Sequence, residues 1–247
     1  MAVKLYVIPG SSPSKAAELM LDRKGIDYKR VDLVMAMHRP TLRMMGFPGK
    51  TVPALKADGR KVQGTRQISR FLDELTPGDR LVSSDAVAEA ERWDDEQLQP
   101  VLRRLLFWAL LHLPGKERTR ISRRSLEGYR IGMPIGIASR TGLPLIKMAA
   151  GYTDSTDENA RAALAGLPEK IDRVDALLAE GVIGGEQLNA ADFEVGCTVR
   201  GLLEFEDLKP YVESRPAAAH ARRVRPHLDL GVPKVFPPEW LPSRPAA

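Results

Sequence analysis

The sequence predicts an α/β domain followed by an all-helical domain. Short β-branched runs bounded by turn residues occur before residue 80, whereas apolar residues recur at helical spacing from Ser83 onward. Hydrophobic residues make up 43% and charged residues 28% of the chain, which is typical of a soluble globular protein. We therefore expect two domains, at residues 1–80 and 81–247.

The composition excludes several classes of protein. The 37 Lys and Arg against 32 Asp and Glu give a net charge of +5, and mixed signs along the chain do not call for nucleic acid as a partner. The single cysteine, Cys197, rules out an internal disulfide framework, and with only four His we expect no metal. The sequence has no signal-peptide pattern and no apolar run of about 18 residues, so we expect a cytoplasmic protein with no membrane partner.

The first elements form a β-α-β unit. Residues 3–8 (VKLYVI) predict a buried strand that ends at Pro9-Gly10. Pro13 suits the first turn of a helix, and Gly25 ends that helix. Residues 27–34 alternate like a second strand, which should run parallel to the first.

The rest of this domain is predicted as a helix, a hairpin and a helix. In order, these are a short helix within 35–47, a strand entered at 51–55, a turn at Asp58-Gly59, a returning strand at 61–63, and a helix capped by Thr65 that ends at Pro77-Gly78.

The second half is predicted to be almost all helix. The expected elements are a long helix over 85–112, capped by Ser84 and kinked at Pro100; two helices within 116–150, broken by Pro134 and Pro144; a helix over about 156–180; a buried helix beginning in LNAADF; and an extended strap from Pro226.

This order of elements resembles that of the cytosolic glutathione transferases, which join a thioredoxin-like domain to an all-helical bundle. The resemblance spans nearly the whole chain. It implies glutathione or another small thiol as co-substrate, a small-molecule electrophile as second substrate, a homodimer and a role in detoxification.

The first matching motif is Pro9-Gly10-Ser11-Ser12-Pro13. In Ser-type members a serine at this turn donates a hydrogen bond to the glutathione sulfur; Ser11 matches that position best, and Ser12 matches the position of the Cys-type enzymes. Lowering a thiol pKa by about two units takes roughly 2.7 kcal/mol. A hydroxyl hydrogen bond to an anion, worth about 1.5–3 kcal/mol, and a helix N-terminus, worth about 0.3–1 kcal/mol, suffice together. As an alternative, the serines are only a helix-start cluster.

Two further motifs concern the fold. The resemblance implies a cis bond before Pro53, with the Val52 backbone pairing with the cysteinyl part of glutathione. Asn189 and Asp192 resemble the buried capping box of the helical domain.

The fourth motif departs from the family pattern. Family members carry Glu-Ser where this chain has Gly64-Thr65, and those residues bind the γ-glutamyl group. Thr65 keeps the hydroxyl, but Gly64 removes the carboxylate partner of the glutathione amine, at a cost of about 1.5–3 kcal/mol. Gln63 is a partial substitute, and Arg66 is a candidate carboxylate ligand or a solvated arginine.

The resemblance implies roles for several other residues. His38 and Lys50 lie where members contact the glycyl carboxylate, although isolated residues of this type are commonly solvated. Along the long helix, the side chains that would face the substrate pocket or pack between helices are Trp93, Phe107, Trp108 and His112. Cys197 is expected to be an inert core residue.

Three functions therefore compete. The first is a transferase in which a serine hydroxyl activates a bound thiol for attack on an apolar electrophile. The second is a non-catalytic or ligand-binding relative with a weakened glutathione site, which Gly64 favours. The third is a thiol-dependent isomerase or reductive enzyme, because fold alone does not decide among them.

Overall fold

The computed structural model describes residues 2–35, 37–128, 137 and 142–243. Its N-terminal part is a four-stranded sheet flanked by helices, in the thioredoxin-like arrangement. The elements are β1 (Val3–Val7), α1 (Ser12–Arg23), β2 (Lys29–Asp32), α2 (His38–Met44), β3 (Ala54–Ala57), β4 (Arg60–Gln63) and α3 (Thr65–Leu75). The strand order is β2-β1-β3-β4, with β1 and β2 parallel and the other pairs antiparallel.

The apolar strand residues and the Asp58-Gly59 turn account for the pairing of the strands. Leu5 lies opposite Leu55 in the β1–β3 pair, and both are fully buried. The hairpin between β3 and β4 turns at Asp58 and Gly59, whose φ angles of 44° and 87° suit this residue pair. At the start of α3, however, the N-cap is Gly64 and no side chain caps the helix, so the predicted cap at Thr65 is wrong: Thr65 is already the first helical residue.

Helices make up the rest of the chain. They are α4 (Asp85–Trp93), a π-helical turn (Asp94–Leu98), α5 (Gln99–His112), α6 (Gly115–Ser125), α7 (Leu143–Tyr152), α8 (Asp157–Ala165), α9 (Leu167–Ala179), α10 (Ala190–Leu202), α11 (Lys209–Val212), α12 (Pro216–Val224) and a 3₁₀ turn (Pro238–Trp240). None of the helices within the described ranges has the length and apolar character to cross a membrane.

The helix predicted over 85–112 differs from the observed one at its middle. Ser84 caps α4 as expected, with its side chain accepting a hydrogen bond from the Val87 amide. The π-helical turn then changes the bonding register, and the Gln99 amide donates to Asp94. Pro100, which has no amide, falls just after this change, in the first turn of α5.

The prolines and glycines later in the chain also act differently from the prediction. The helix expected over 156–180 is two helices, α8 and α9, which meet at Gly166, and Pro168 lies in the first turn of α9. Pro144 begins α7 rather than breaking a helix, because a proline at this position needs no amide. Pro134 lies outside the described residues.

Helix α10 joins the two halves. Asn189 and Asp192 form the predicted capping box: the Asn189 side chain accepts from the Asp192 amide and the Asp192 carboxylate accepts from the Asn189 amide. One face of α10 packs in the helical core, while Phe193 and Cys197 pack in the core beneath the sheet, against α1. Helix α10 therefore supplies side chains to both apolar cores.

Two carboxylates hold the C-terminal strap. Glu204 accepts hydrogen bonds from the Leu230 and Gly231 amides, and Asp207 accepts from the Val235 amide at 2.7 Å. The strap is extended, as expected after Pro226, and it brings apolar side chains under the space between the sheet domain and the helices.

Candidate functional site

A cleft of about 330 Å³ lies between the sheet domain and the helices. Its first wall is the turn between β1 and α1 together with α2 and residues 51–52; its second wall is α5, α6, α7 and the strap. The volume lies at the small end of the range for small-molecule sites. We call this space the interdomain cleft.

The turn between β1 and α1 presents Ser11 and Ser12 to the interdomain cleft. Ser11 is the N-cap of α1, and its hydroxyl oxygen accepts a hydrogen bond from the Ser14 amide at 3.3 Å. That bond uses an oxygen lone pair and leaves the hydroxyl proton free to be donated. Ser12 is 7% exposed, and its amide, at the positive end of α1, donates no hydrogen bond within the described chain.

Val52 forms the adjoining part of the wall. The Val52-Pro53 bond is cis, as the resemblance implied. Val52 lines the interdomain cleft, whereas Pro53 is buried behind it and its carbonyl accepts from the Gly64 amide at 2.9 Å. The N–H and C=O of Val52 have no hydrogen-bond partner among the described residues, so they are available to an extended ligand.

The segment predicted to bind the γ-glutamyl group does not line the interdomain cleft. The Gln63 side chain donates to the Thr51 carbonyl and accepts from the Gly49 amide, both at 2.6 Å, so it holds a loop in place. Gly64 has φ 91°, where any side chain is strained, and an added Cβ would lie 2.6 Å from Oε1 of Gln67. Gly64→Glu would thus carry a backbone cost that offsets part of any gained ion pair.

Thr65 and Arg66 face other groups. Thr65 is buried, and its hydroxyl lowers the pKa of the nearby Glu194 carboxyl against the larger effect of burial. Arg66 lies 3.8 Å from Asp95 and 3.6 Å from Glu96. Neither side chain reaches the interdomain cleft within the described structure.

His38 and Lys50 have different surroundings. His38 begins α2 and lines the interdomain cleft; burial and Arg39 lower its pKa, against a hydrogen bond to the Lys50 backbone that raises it. His38 is therefore a neutral imidazole at pH 7. The Lys50 side chain is exposed and does not line the interdomain cleft.

Of the four aromatic and imidazole side chains proposed for the substrate pocket, Phe107 alone lines the interdomain cleft. Trp108 is 4% exposed, donates to the Asp157 carboxylate at 2.8 Å, and stacks on His112 with ring centroids 3.8 Å apart. Trp93 packs half-buried against the helical core. Trp93 and Trp108 thus have the interhelical positions that the alternative interpretation gave them.

Basic groups of the interdomain cleft were not predicted. Besides His38, the described lining contains Arg39, Arg103 and Arg225, and it contains no Asp or Glu. Arg39 stacks over the Tyr152 ring at 3.7 Å. These residues come from three distant parts of the chain, so no local sequence pattern could have grouped them.

A second unpredicted feature is a group of buried carboxylates behind α5. Burial raises the pKa of Asp94 to about 7, against a hydrogen bond from Thr198. Burial, with Glu91 and Asp94 nearby, raises the pKa of Glu194 well above its usual value. Glu91 is fully buried and pairs with Arg70. Asp94 is therefore about half protonated at pH 7, and burial favours the protonated form of Glu194.

Cys197 is buried, and burial raises the pKa of its thiol to about 12, so it is unreactive, as expected. Within the described parts of the chain, no three His, Cys, Asp or Glu side chains are arranged to hold a metal ion.

The sheet with its cis proline, the helical bundle and the cleft between them have counterparts in known proteins. Residues 5–80 match the family model described as glutathione S-transferase, N-terminal domain. Residues 5–80 are therefore similar to the N-terminal domain of glutathione S-transferases.

Solved structures extend the similarity over both halves. A glutathione S-transferase from Rhodospirillum rubrum is 17% identical, with TM-score 0.59, over 93% of this chain and 90% of that one. A theta class glutathione S-transferase from Xanthomonas axonopodis, solved with glutathione bound, is 16% identical, with TM-score 0.54, over 91% and 94%. FzlA from C. crescentus is 15% identical, with TM-score 0.55, over 94% and 96%. At these identities the likeness shows the fold. A comparison with curated proteins gives no match.

Proposed function

We propose that the protein is a thiol S-transferase in which Ser11 activates a bound thiol, with glutathione as the expected co-substrate. The observation that carries the proposal is the grouping of three features on one wall of the interdomain cleft: the Ser11 hydroxyl, the free Ser12 amide and the unpaired Val52 backbone. The Xanthomonas axonopodis enzyme with the same fold binds glutathione, which supports this choice of thiol.

In this mechanism the sulfur lies at the N-terminus of α1. The Ser11 hydroxyl and the Ser12 amide donate hydrogen bonds that favour the thiolate, whose proton passes to solvent. The thiolate attacks an electrophilic carbon held against α5: a C–S bond forms, and the leaving group departs with its electron pair, or a conjugated double bond accepts that pair and later a proton. The protein orients the reactants and excludes water.

The Ser11 hydroxyl is tested by comparing Ser11→Ala with Ser12→Ala. We expect Ser11→Ala to lower kcat/KM for glutathione and a chromogenic aryl halide about 10–100-fold, the equivalent of about 1.5–3 kcal/mol. The bound thiol pKa, followed by thiolate absorbance, should rise by about 1–2 units. Ser11→Thr, which keeps a hydroxyl, should retain most of the activity, and Ser12→Ala should change it less than about threefold.

Equal loss in both alanine variants, or an unchanged thiol pKa in Ser11→Ala, would contradict this assignment. Calorimetry of glutathione binding belongs to the same experiment, because a rate can be measured only if the thiol binds. Binding at micromolar to millimolar concentration supports glutathione as the thiol.

A second candidate has its own support. Gly64 supplies no carboxylate for the glutathione amine, and Gln63 is held by the 49–51 loop. These contacts favour a non-catalytic or ligand-binding relative, or a different small thiol. Absence of glutathione binding at millimolar concentration, together with binding of an apolar ligand, would select this candidate.

The family resemblance adds three expectations to the proposal: a homodimer, a cytoplasmic location and a role in detoxification. We also propose the boundary between the two domains near residue 80, where the Leu81 and Val82 amides donate to Asp73 of α3.

A further inference from the structure

A guanidinium group without an anionic partner lies in the wall of the interdomain cleft. Arg225 directly follows α12, lines the interdomain cleft and is 8% exposed. Its Nε atom is buried and has no hydrogen-bond partner, and no carboxylate of the described chain lies within 4 Å of the group. Buried arginines are ordinarily paired with anions, so the unpaired state is unfavourable unless a ligand supplies the anion.

The surroundings of Arg225 contain no hidden counter-ion. Arg225 also borders a second, more open recess, which contains Glu127 and Asp229. Asp229 is engaged by Arg124 at 2.9 Å, and Glu127 forms no ion pair with Arg225. The backbone carbonyl of Arg225 accepts from Arg200, which fixes the main chain but leaves the guanidinium free.

A second arginine adds to the positive charge. Arg103 of α5 lines the interdomain cleft, and its buried Nε likewise has no hydrogen-bond partner. Asp94 and Asp95 attract it electrostatically, but neither is within ion-pair distance in the described structure. Since the described lining contains no carboxylate, the field inside the interdomain cleft favours an anion.

The remainder of the second wall is apolar. Leu102, Leu106 and Phe107 of α5 face Leu145 and Ile146 of α7, and Leu228 of the strap lies beneath them. A ligand that satisfies both features has an apolar body and an anionic end. Glutathione has two carboxylates but no apolar body, so it does not match this wall.

We propose that the interdomain cleft takes an apolar carboxylic acid as its second ligand, with the carboxylate held by Arg225 and the apolar body against α5 and α7. This inference rests on the proposed function, because it names the chemical class of the electrophile. Arg103 contributes at longer range. The paired guanidinium–carboxylate contact would also relieve the desolvated charge of Arg225.

The proposal is tested without glutathione, by calorimetry with decanoic acid and decanol, which share a chain and differ in the head group. Wild-type protein should bind decanoate at least 10-fold more tightly than decanol, and added salt should narrow that difference. Arg225→Gln should remove the preference while leaving decanol affinity within about twofold. Arg225→Lys should keep part of the preference, and Arg222→Gln, a control at an exposed arginine of α12, should keep all of it.

Equal affinity for both probes in the wild type would overturn the proposal, as would an unchanged preference in Arg225→Gln. If Arg225→Gln changed the pKa of bound glutathione and left the acid preference unchanged, Arg225 would belong to the thiol site, and the proposal would be overturned. Unchanged decanol binding verifies that the variant is folded. Acid preference without glutathione binding would leave the assignment of the acid site to Arg225 standing and exclude glutathione as the thiol. Glutathione turnover without acid preference would support the transferase and overturn the acid site.

Discussion

Single atoms decide the chemistry at the turn between β1 and α1. The Ser11 oxygen accepts a hydrogen bond from the helix that it begins, and this bond leaves the hydroxyl proton free to be donated. A helix cap and a donor to sulfur are therefore compatible roles for one hydroxyl. This is why a serine cluster that reads as a simple helix start is also suited to bind an anion.

The buried Asp94 carboxyl destabilises the folded protein when it is ionised. Its pKa is about 7 in the folded protein, against 3.8 for an ordinary Asp. Its contribution to stability is therefore greatest below pH 3.8, falls as the pH rises from there to about 7, and is flat above that. The full cost above neutral pH is up to about 4 kcal/mol.

We expect Asp94→Asn to stabilise the protein, because an amide keeps an acceptor for Thr198 and carries no charge. The gain in the free energy of unfolding should be larger at pH 8 than at pH 5 by about 2–3 kcal/mol. Urea unfolding at the two pH values measures it. Asp95→Asn, on the same turn with a side chain 52% exposed, should show no such pH dependence; an identical gain in both variants would contradict the assignment.

Among the elements, local signals were reliable where one residue type settles the backbone. Asp58-Gly59 and Gly25 have positive φ angles where turns were predicted or helices end, because few residues tolerate those conformations. The π-helical turn at Asp94–Leu98 and the split at Gly166 were missed, because apolar spacing continues across both. Which hydrogen-bond register a helix adopts depends on tertiary packing, which spacing does not contain.

The capped start of α10 allows a direct measurement. Asn189→Ala should cost about 1–2 kcal/mol, since it removes one cap and a further bond to the Val182 carbonyl. Asp192→Ala should cost about 2–6 kcal/mol, because the buried carboxylate accepts from both the Gly184 and Asn189 amides. Thermal or urea unfolding measures both. Asn189→Ser keeps the cap oxygen and should cost less than Asn189→Ala; a reversed order would refute the cap's role.

The residues of the candidate site also differ in whether the local sequence could predict them. Ser11, Ser12 and Val52 could be proposed from short motifs, because each acts through a turn made by its neighbours. Arg103 and Arg225 could not, since α5 and the residue after α12 meet at the cleft only through tertiary packing. Trp108 was ambiguous for a related reason: which face of α5 points to the core is set by the turn before it.

At the scale of the whole molecule, the two halves share a core. Ala190, Phe193 and Cys197 of the helical half pack with the apolar side chains beneath the sheet. The Ala190 amide also donates to the Leu81 carbonyl at 2.9 Å. Side chains of α10 thus complete the apolar core beneath the sheet.

We therefore expect the protein to unfold in a single transition. Trp93, Trp108 and Trp240, all in the helical half, report on that half by fluorescence, while hydrogen exchange of β1 and β3 amides reports on the sheet. The two midpoints should coincide in urea, and Phe193→Ala, at a cost of about 3–5 kcal/mol, should shift both equally. Sheet amides that exchange while fluorescence stays native would show that the halves are independent.

The π-helical turn at Asp94–Leu98 sets the angular phase of everything that follows it in α5. Each residue of an α-helix advances the side-chain direction by about 100°. Loss of one residue from this turn would rotate Leu102, Leu106 and Phe107 away from the interdomain cleft together. Single-residue insertions or deletions here would therefore change all three lining side chains at once, whereas a point replacement changes only one.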